Sequence, residues 1–309
     1  MIAIDLGSNT LRVVQLDCQT GLYTASFERI VKTADGLAQT GRISKEALHR
    51  VIQAIWEAKQ EIDFSSDRVR AVTTEALRRA ANTDEILASI KREAGVAFEV
   101  ISGEEEAELT LLAVQNRLQK IRPKEESFVL IDIGGGSTEL IFRYLQKVVT
   151  QSFPVGIVTI VQQNASLETI KAAIPAEMAP MRQFAEKVYQ EEGQVDTFVA
   201  TAGTPTTVAA LKLGQTYASY DPKQINGTIL EVSDLNETLQ HLLAMPFEER
   251  EISVGIGRSD LIAAGILIFR ELFSIIQMPA CVVIDDGLRE GVALQGCREK
   301  LPSGKEQEF

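Results

Sequence analysis

Two short turns carry the residue types that bind phosphate. The first is Asp5-Leu6-Gly7-Ser8-Asn9-Thr10, between apolar runs at 2–4 and 11–16. The second is Asp132-Ile133-Gly134-Gly135-Gly136-Ser137-Thr138, between apolar runs at 128–133 and 140–145. Small residues in a hairpin turn let backbone N–H groups approach a phosphate, and Ser or Thr hydroxyls add further donors. The acid ending each first strand, Asp5 or Asp132, can hold a hydrated Mg²⁺, or Mn²⁺ in its place, against the same phosphates, because hard oxygen ligands suit such cations. Glu139, just past the second turn, is close enough in sequence to complete a metal or water site with Asp132. A third strand–turn–helix unit places Ala202-Gly203-Thr204 after an apolar run at 197–201, and it joins the two turns as a phosphate-binding candidate.

Charged side chains nearby are less specific. Arg12, Arg78, Arg258 and Arg289 fall near expected strand ends or turns, where a guanidinium can hold phosphate bidentately. The run Glu104-Glu105-Glu106 heads an expected helix, where acids suit the positive end of the dipole and Glu105 completes a capping box with Ser102. Composition alone lifts none of the three to a catalytic base.

The elements that must position these residues read as α/β. In the first hundred residues a hairpin and a third strand at 23–31 precede a helix after Ser44, with Ala47, Leu48, Val51, Ile52, Ile55, Ala58 and Ile62 on one stripe. A strand at 69–72 follows, then a helix capped by Asn82 with Glu85 and closed by Gly95, then a strand at 98–101 and a helix after Ser102. Three strands, helix, strand, helix, strand, helix is the ribonuclease-H-like order. The second half begins in the same way. Laid over one another, Ile4 falls on Ile131, Asp5 on Asp132, Gly7 on Gly134 and Thr10 on Ser137, and Arg12 takes the place of Glu139. This internal repeat predicts two ribonuclease-H-like domains, 1–120 and 121–309, flanking an interdomain cleft, with the last helix free to pack back on the first domain. The polar stretch Pro123-Lys124-Glu125-Glu126 marks the boundary. Later helices are expected around 176–192 and 259–273 and from about Leu288, and 303–308 reads as a frayed tail.

Composition narrows the function. The 309 residues hold 31 basic and 43 acidic side chains, a net charge of −12, so no global field draws nucleic acid or an anionic membrane. Three scattered cysteines (Cys18, Cys281 and Cys297) fit neither a disulfide framework nor a zinc site and point to a reducing cytoplasm. Two histidines, His49 and His241, exclude a His-rich metal cluster. No signal peptide is evident, and the longest apolar run, at 261–269, is under half of the ~20 residues that span a bilayer.

Beyond the fold, Asp5-Leu6-Gly7-Ser8-Asn9-Thr10-Leu11-Arg12, Thr74-Glu75-Ala76-Leu77-Arg78, Ile101-Ser102-Gly103-Glu104-Glu105-Glu106-Ala107 and the block from Ile131 to Glu139 resemble the exopolyphosphatase / guanosine pentaphosphate phosphohydrolase (Ppx/GppA) family in order and spacing. Asp286-Gly287-Leu288-Arg289-Glu290-Gly291 is similar to that family's C-terminal signature. The family sits in the actin/hexokinase/sugar-kinase ATPase superfamily, in keeping with the repeat. The resemblance implies a Mg²⁺-dependent hydrolase of terminal phosphoanhydrides, acting on inorganic polyphosphate or on guanosine pentaphosphate to give the tetraphosphate. By the same resemblance Glu106 is the base that activates water, with Asp132 and Glu139 near metal and water. Gly134, Gly135, Gly136 and Ser137 form the main phosphate loop, and Ser8, Asn9 and Thr10 the first. Arg12 and Arg258 contact phosphate or guanosine tetraphosphate, Arg78 is a further phosphate contact, and a homodimer is plausible. Two departures stand out. The chain is short, without the extra domains of long members, and Asn226-Gly227 follows Tyr220-Asp221-Pro222 where the family commonly has His-Gly. Two other readings are an ATP-dependent kinase, which needs an adenosine pocket around Gly203, and a nucleotide-binding sensor or actin-like assembly protein that hydrolyses slowly or not at all.

Overall fold

The computed structural model describes residues 1–65, 68–122, 124 and 127–299. Most of the polar stretch at 123–126 and the tail at 303–308 lie outside the described residues. The chain separates into two units, one of residues 1–116 with the segment from Asp286, the other Arg117–Asp285.

The first unit is built on a five-stranded sheet of β1 (Ile2–Leu6), β2 (Thr10–Asp17), β3 (Leu22–Ile30), β4 (Val69–Thr73) and β5 (Phe98–Val100), ordered β3-β2-β1-β4-β5. The hairpin strands are antiparallel, and β4 and β5 run parallel to β1. Its helices are α1 (Leu37–Thr40), α2 (Lys45–Glu61), α3 (Glu75–Arg79), α4 (Thr83–Ala94) and α5 (Gly103–Ile121). Helix α2 forms where the apolar stripe predicts it, buries Ala47, Val51, Ile52, Ile55 and Ala58, and starts at Ser44, whose hydroxyl accepts the N–H of Ala47.

Two capping expectations change. Asn82 does not cap α4. Its amide pairs with the backbone of Ile43, Oδ1 accepting the N–H at 2.9 Å and Nδ2 donating to the carbonyl at 3.0 Å. A buried amide that satisfies both backbone groups of a distant residue gives up the local cap. Ser102 does cap α5 by accepting the Glu105 N–H at 3.1 Å, but the Glu105 carboxylate accepts from Arg70 at 2.9 Å instead of closing the box.

The second unit repeats the plan. Strands β6 (Phe128–Ile133), β7 (Thr138–Arg143), β8 (Val148–Phe153), β9 (Thr197–Thr201), β10 (Ile229–Glu231) and β11 (Ala280–Val283) form a sheet ordered β10-β11-β9-β6-β7-β8. From β8 to β11 the sequence of strands is that of the first sheet, and β10 adds an antiparallel edge. Both units therefore have the ribonuclease-H-like topology. The helices are α6 (Ile157–Gln163), α7 (Leu167–Glu177), α8 (Ala179–Glu192), α9 (Gly203–Lys212), α10 (Pro222–Ile225), α11 (Val232–Ala244), α12 (Phe247–Val254) and α13 (Ser259–Ile276). The helix expected around 176–192 is α8, set off from α7 at Met178, with Pro180 in its first turn where a missing N–H is harmless. The apolar run at 261–269 is the middle of α13, which is buried along most of its length and packs Phe269 and Phe273 edge-on against Phe198. Among the described residues no single helix is long and apolar enough to cross a membrane.

The last helix, α14 (Leu288–Arg298), belongs to the first unit and packs on β1 and β2. Gly291 permits this. A Cβ there would run into the carbonyl of Leu109 on α5, so only hydrogen lets the two helix backbones approach so closely. Cys18 and Cys297 are not separate thiols, as the sequence suggests, but a disulfide with Cα atoms 5.3 Å apart. The partners are 279 residues apart in the chain and meet because α14 returns to the end of β2. Cys281 alone is free, and its burial pushes the thiol pKa up.

Candidate active site

The acids heading α5 are alike in composition and unlike in place. Glu104 is exposed, Glu105 is half-buried on Arg70, and Glu106 is buried. The Glu106 Oε2 accepts Nη1 of Arg78 at 2.7 Å, and the same Nη1 donates to the carbonyl of Ile101 at 2.9 Å. Arg78 lies in α3, directly after β4, so a strand end carries the guanidinium to the helix that carries the acid. Burial of the guanidinium disfavours its charge, but the Glu106 and Glu75 carboxylates outweigh this and raise its pKa. In this structure it is held by the base candidate and by Glu75.

The first turn, Ser8-Asn9-Thr10, closes with the Gly7 N–H on the Thr10 carbonyl at 3.0 Å. Behind it the carbonyl of Asn9 accepts from Val31 and Lys32, and that of Ser8 from Ala34. Asp5, next to last in β1, is in register with Arg12, and Arg12 Nε donates to Glu28 on β3 at 3.0 Å.

In the second unit, Gly134 donates to the Ser137 carbonyl at 2.9 Å. The N-terminus of α6 braces this turn. Ile157 donates to the Gly134 carbonyl at 3.0 Å, and Val158 and Thr159 donate to that of Gly135 at 2.7 and 3.2 Å. Gly156 makes the approach possible, since a Cβ on it would lie 2.5 Å from the Gly135 oxygen. Neither Gly156 nor α6 stands out in the sequence. The only signal there is a glycine opening an apolar stretch. Ser137 is buried, and Asp132 is the register partner of Glu139 across β6 and β7. Glu139 is 1% exposed, and its Oε1 accepts from Ser152 on β8 at 2.7 Å.

The third turn follows β9. Ala202 holds φ at 72°, a left-handed value costly for a residue with a Cβ, of the sort found at functional turns. Gly203 and Thr204 open α9, and Arg258 is brought to them, its Nη2 donating to the Gly203 carbonyl at 3.2 Å and to Thr207 Oγ1 at 3.3 Å. Glu251 fixes the backbone on either side of Arg258 by accepting the N–H groups of Gly257 and Ser259. Arg289, the remaining arginine, pairs with Glu290, whose other oxygen caps α14 at Gly287. Asn226 also has a definite place. Its Oδ1 accepts the Asp285 N–H at 2.9 Å and its Nδ2 donates to the Pro222 carbonyl at 2.9 Å, while the Tyr220 hydroxyl donates to Asp285. Among the described residues no group of three or more His, Cys, Asp or Glu stands ready to hold a metal.

The profile of the Ppx/GppA phosphatase family matches residues 19–299. The chain belongs to that family. Membership makes it a phosphoanhydride hydrolase. This Ppx/GppA chain is 29% identical over 94% of its length to exopolyphosphatase 2 of Mycobacterium tuberculosis, covering 97% of that protein. The crystal structure of the Aquifex aeolicus family member is similar at 32% identity with a TM-score of 0.72, each chain covered to 98%. An exopolyphosphatase from Cytophaga hutchinsonii shares the fold, with a TM-score of 0.81 at 22% identity over 96% of this chain and 97% of that one.

Proposed function

We propose that this Ppx/GppA chain removes the terminal phosphate from inorganic polyphosphate and from guanosine pentaphosphate, leaving guanosine tetraphosphate in the second case. The observation that carries the reading is the single buried carboxylate at the head of α5, held on Arg78 at 2.7 Å. Hydrolysis needs an oriented water, in-line placement of the terminal phosphorus and neutralisation of charge. Glu106 takes a proton from water as its oxygen bonds to that phosphorus, and the bond to the bridging oxygen breaks. A positioned general base contributes about 10²–10⁴-fold.

In each unit the turn, with its carbonyls spent on the protein behind it, would offer a phosphate N–H groups and hydroxyls, those of Ser8 and Thr10 in the first unit and of Ser137 in the second. Arg12 extends the donors of the first unit, and Gly203, Thr204 and Arg258 those of the second. The paired carboxylates Asp132 and Glu139 suit Mg²⁺ or Mn²⁺. Two acids placed directly opposite on a ladder repel each other, and Mg²⁺ commonly takes one or two carboxylates, keeping waters and substrate phosphates as its other ligands. Asp5 is assigned the same role in the first unit. Bound there, the cation would neutralise charge on the phosphates. A guanosine pentaphosphate substrate would place the enzyme in the stringent response, and we assign it to the cytoplasm and to a homodimer on the family resemblance alone.

The test is phosphate release from medium-chain polyphosphate and from guanosine pentaphosphate with Mg²⁺, beside a Glu106→Gln control. Release that the substitution abolishes supports the hydrolase and its base. No release, with guanosine tetraphosphate still bound, replaces the reading by a sensor.

A further inference from the structure

Arg78 is shared between two carboxylates, and only one belongs to the proposed chemistry. Its Nη1 edge serves Glu106 and the Ile101 carbonyl. Its other edge, Nε and Nη2, donates to a single oxygen, Oε2 of Glu75, at 3.3 and 3.1 Å. The second oxygen of Glu75 lies 3.8 Å from Nε of Arg79. The side chains of Glu75, Arg78 and Glu106 are 15%, 18% and 11% exposed, so the three charges form one largely buried cluster.

A guanidinium is a planar fork whose two edges turn together. Fixing the Nε/Nη2 edge therefore fixes where Nη1 points. Glu75 opens α3, so its own backbone is set by the end of β4. We infer that Glu75 is a positioning residue for the hydrolysis: it locks the Arg78 fork so that Nη1 holds Glu106 in its working place. The inference rests on the proposed hydrolase reading, and it assigns Glu75 no contact with substrate.

The geometry also says how the role can be replaced. Both bonds from Arg78 end on one oxygen, so a glutamine amide oxygen can accept them, and an alanine cannot. Small displacements of a catalytic group are costly, with about 10²-fold lost for a misplacement near 1 Å. We expect Glu75→Ala to lower kcat for polyphosphate by about tenfold while KM changes less than about twofold, because substrate contacts are untouched. Glu75→Gln should return kcat to within about threefold of the original. The Arg78 Nε–H resonance, read by ¹⁵N NMR, should be slowly exchanging in the unsubstituted protein and in Glu75→Gln, and broadened in Glu75→Ala.

A Glu75→Ala protein with full kcat overturns the inference and leaves the hydrolase intact. So does a Glu75→Gln protein as impaired as Glu75→Ala, or a loss carried by KM. Absence of phosphate release from the unsubstituted protein overturns the hydrolase reading, and this inference falls with it.

Discussion

Asp132 is the direct register partner of Glu139 on the β6–β7 ladder, and Asp5 and Arg12 occupy the matching places on β1 and β2. One unit thus opposes an acid to an acid where the other opposes an acid to a base. The acid pair concentrates negative charge that a cation would neutralise, whereas beside Asp5 the opposing Arg12 is itself a cation.

Stripping divalent metal should therefore stop phosphate release, and Mg²⁺ or Mn²⁺ should restore it. If Asp132 holds the cation as proposed, replacing it by Asn takes one charge from the site, and the Mg²⁺ concentration giving half-maximal rate should rise about tenfold or more. An Asp132→Asn protein with the original Mg²⁺ dependence would remove this carboxylate from the metal site.

Gly156→Ala tests the brace behind the glycine turn. Its methyl group would meet the Gly135 carbonyl at 2.5 Å, so either α6 or the turn must move. We expect phosphate release to fall by about 10²-fold, with the circular dichroism spectrum unchanged. An active Gly156→Ala protein would show that the turn tolerates displacement.

The cysteines give a count. Under non-reducing conditions the native protein should show no reactive thiol, since Cys18 and Cys297 are bonded and Cys281 is buried with a raised pKa. Unfolding should expose one thiol, and reduction should bring the total to three. A disulfide closing so long a loop contributes about 2–5 kcal/mol. Reductant should accordingly lower the melting temperature by about 5 °C or more, as read by calorimetry.

Asn226 ties the segment after Tyr220 to the end of β11. Asn226→Ala leaves the Asp285 N–H without its acceptor and should cost about 1–3 kcal/mol in urea unfolding. Asn226→His keeps a ring nitrogen able to accept that N–H and should recover part of the loss. Equal loss in both variants would mean that the Pro222 contact matters more.

The repeat was legible because both turns need the same rare chemistry: an acid ending a strand, then small residues with hydroxyls. Helix α2 was legible from its stripe, and the alternation of strands and helices pointed to the ribonuclease-H-like order now seen in both sheets. Edge strand β8 and helices α6, α11 and α12 were not read. Strand β8 and helices α6 and α12 are too short to show a period, whereas α11, with Leu235, Thr238 and Leu242 on its buried face, carries a helical stripe that could have been read.

By itself the sequence determined the topology, the family and the three turns, because each depends on residue types at close spacing. Composition could not separate Glu104, Glu105 and Glu106, and within the sequence only the resemblance of the motif singled out Glu106. Tertiary structure gives them different surroundings by bringing Arg78 from the end of β4 onto Glu106 and Arg70 onto Glu105. It also decided that α14 returns to the first unit, closing Cys18 on Cys297, and that Gly156 braces a turn about twenty residues earlier. Contacts made across long stretches of chain leave no local pattern, and the surroundings of these side chains are set by them.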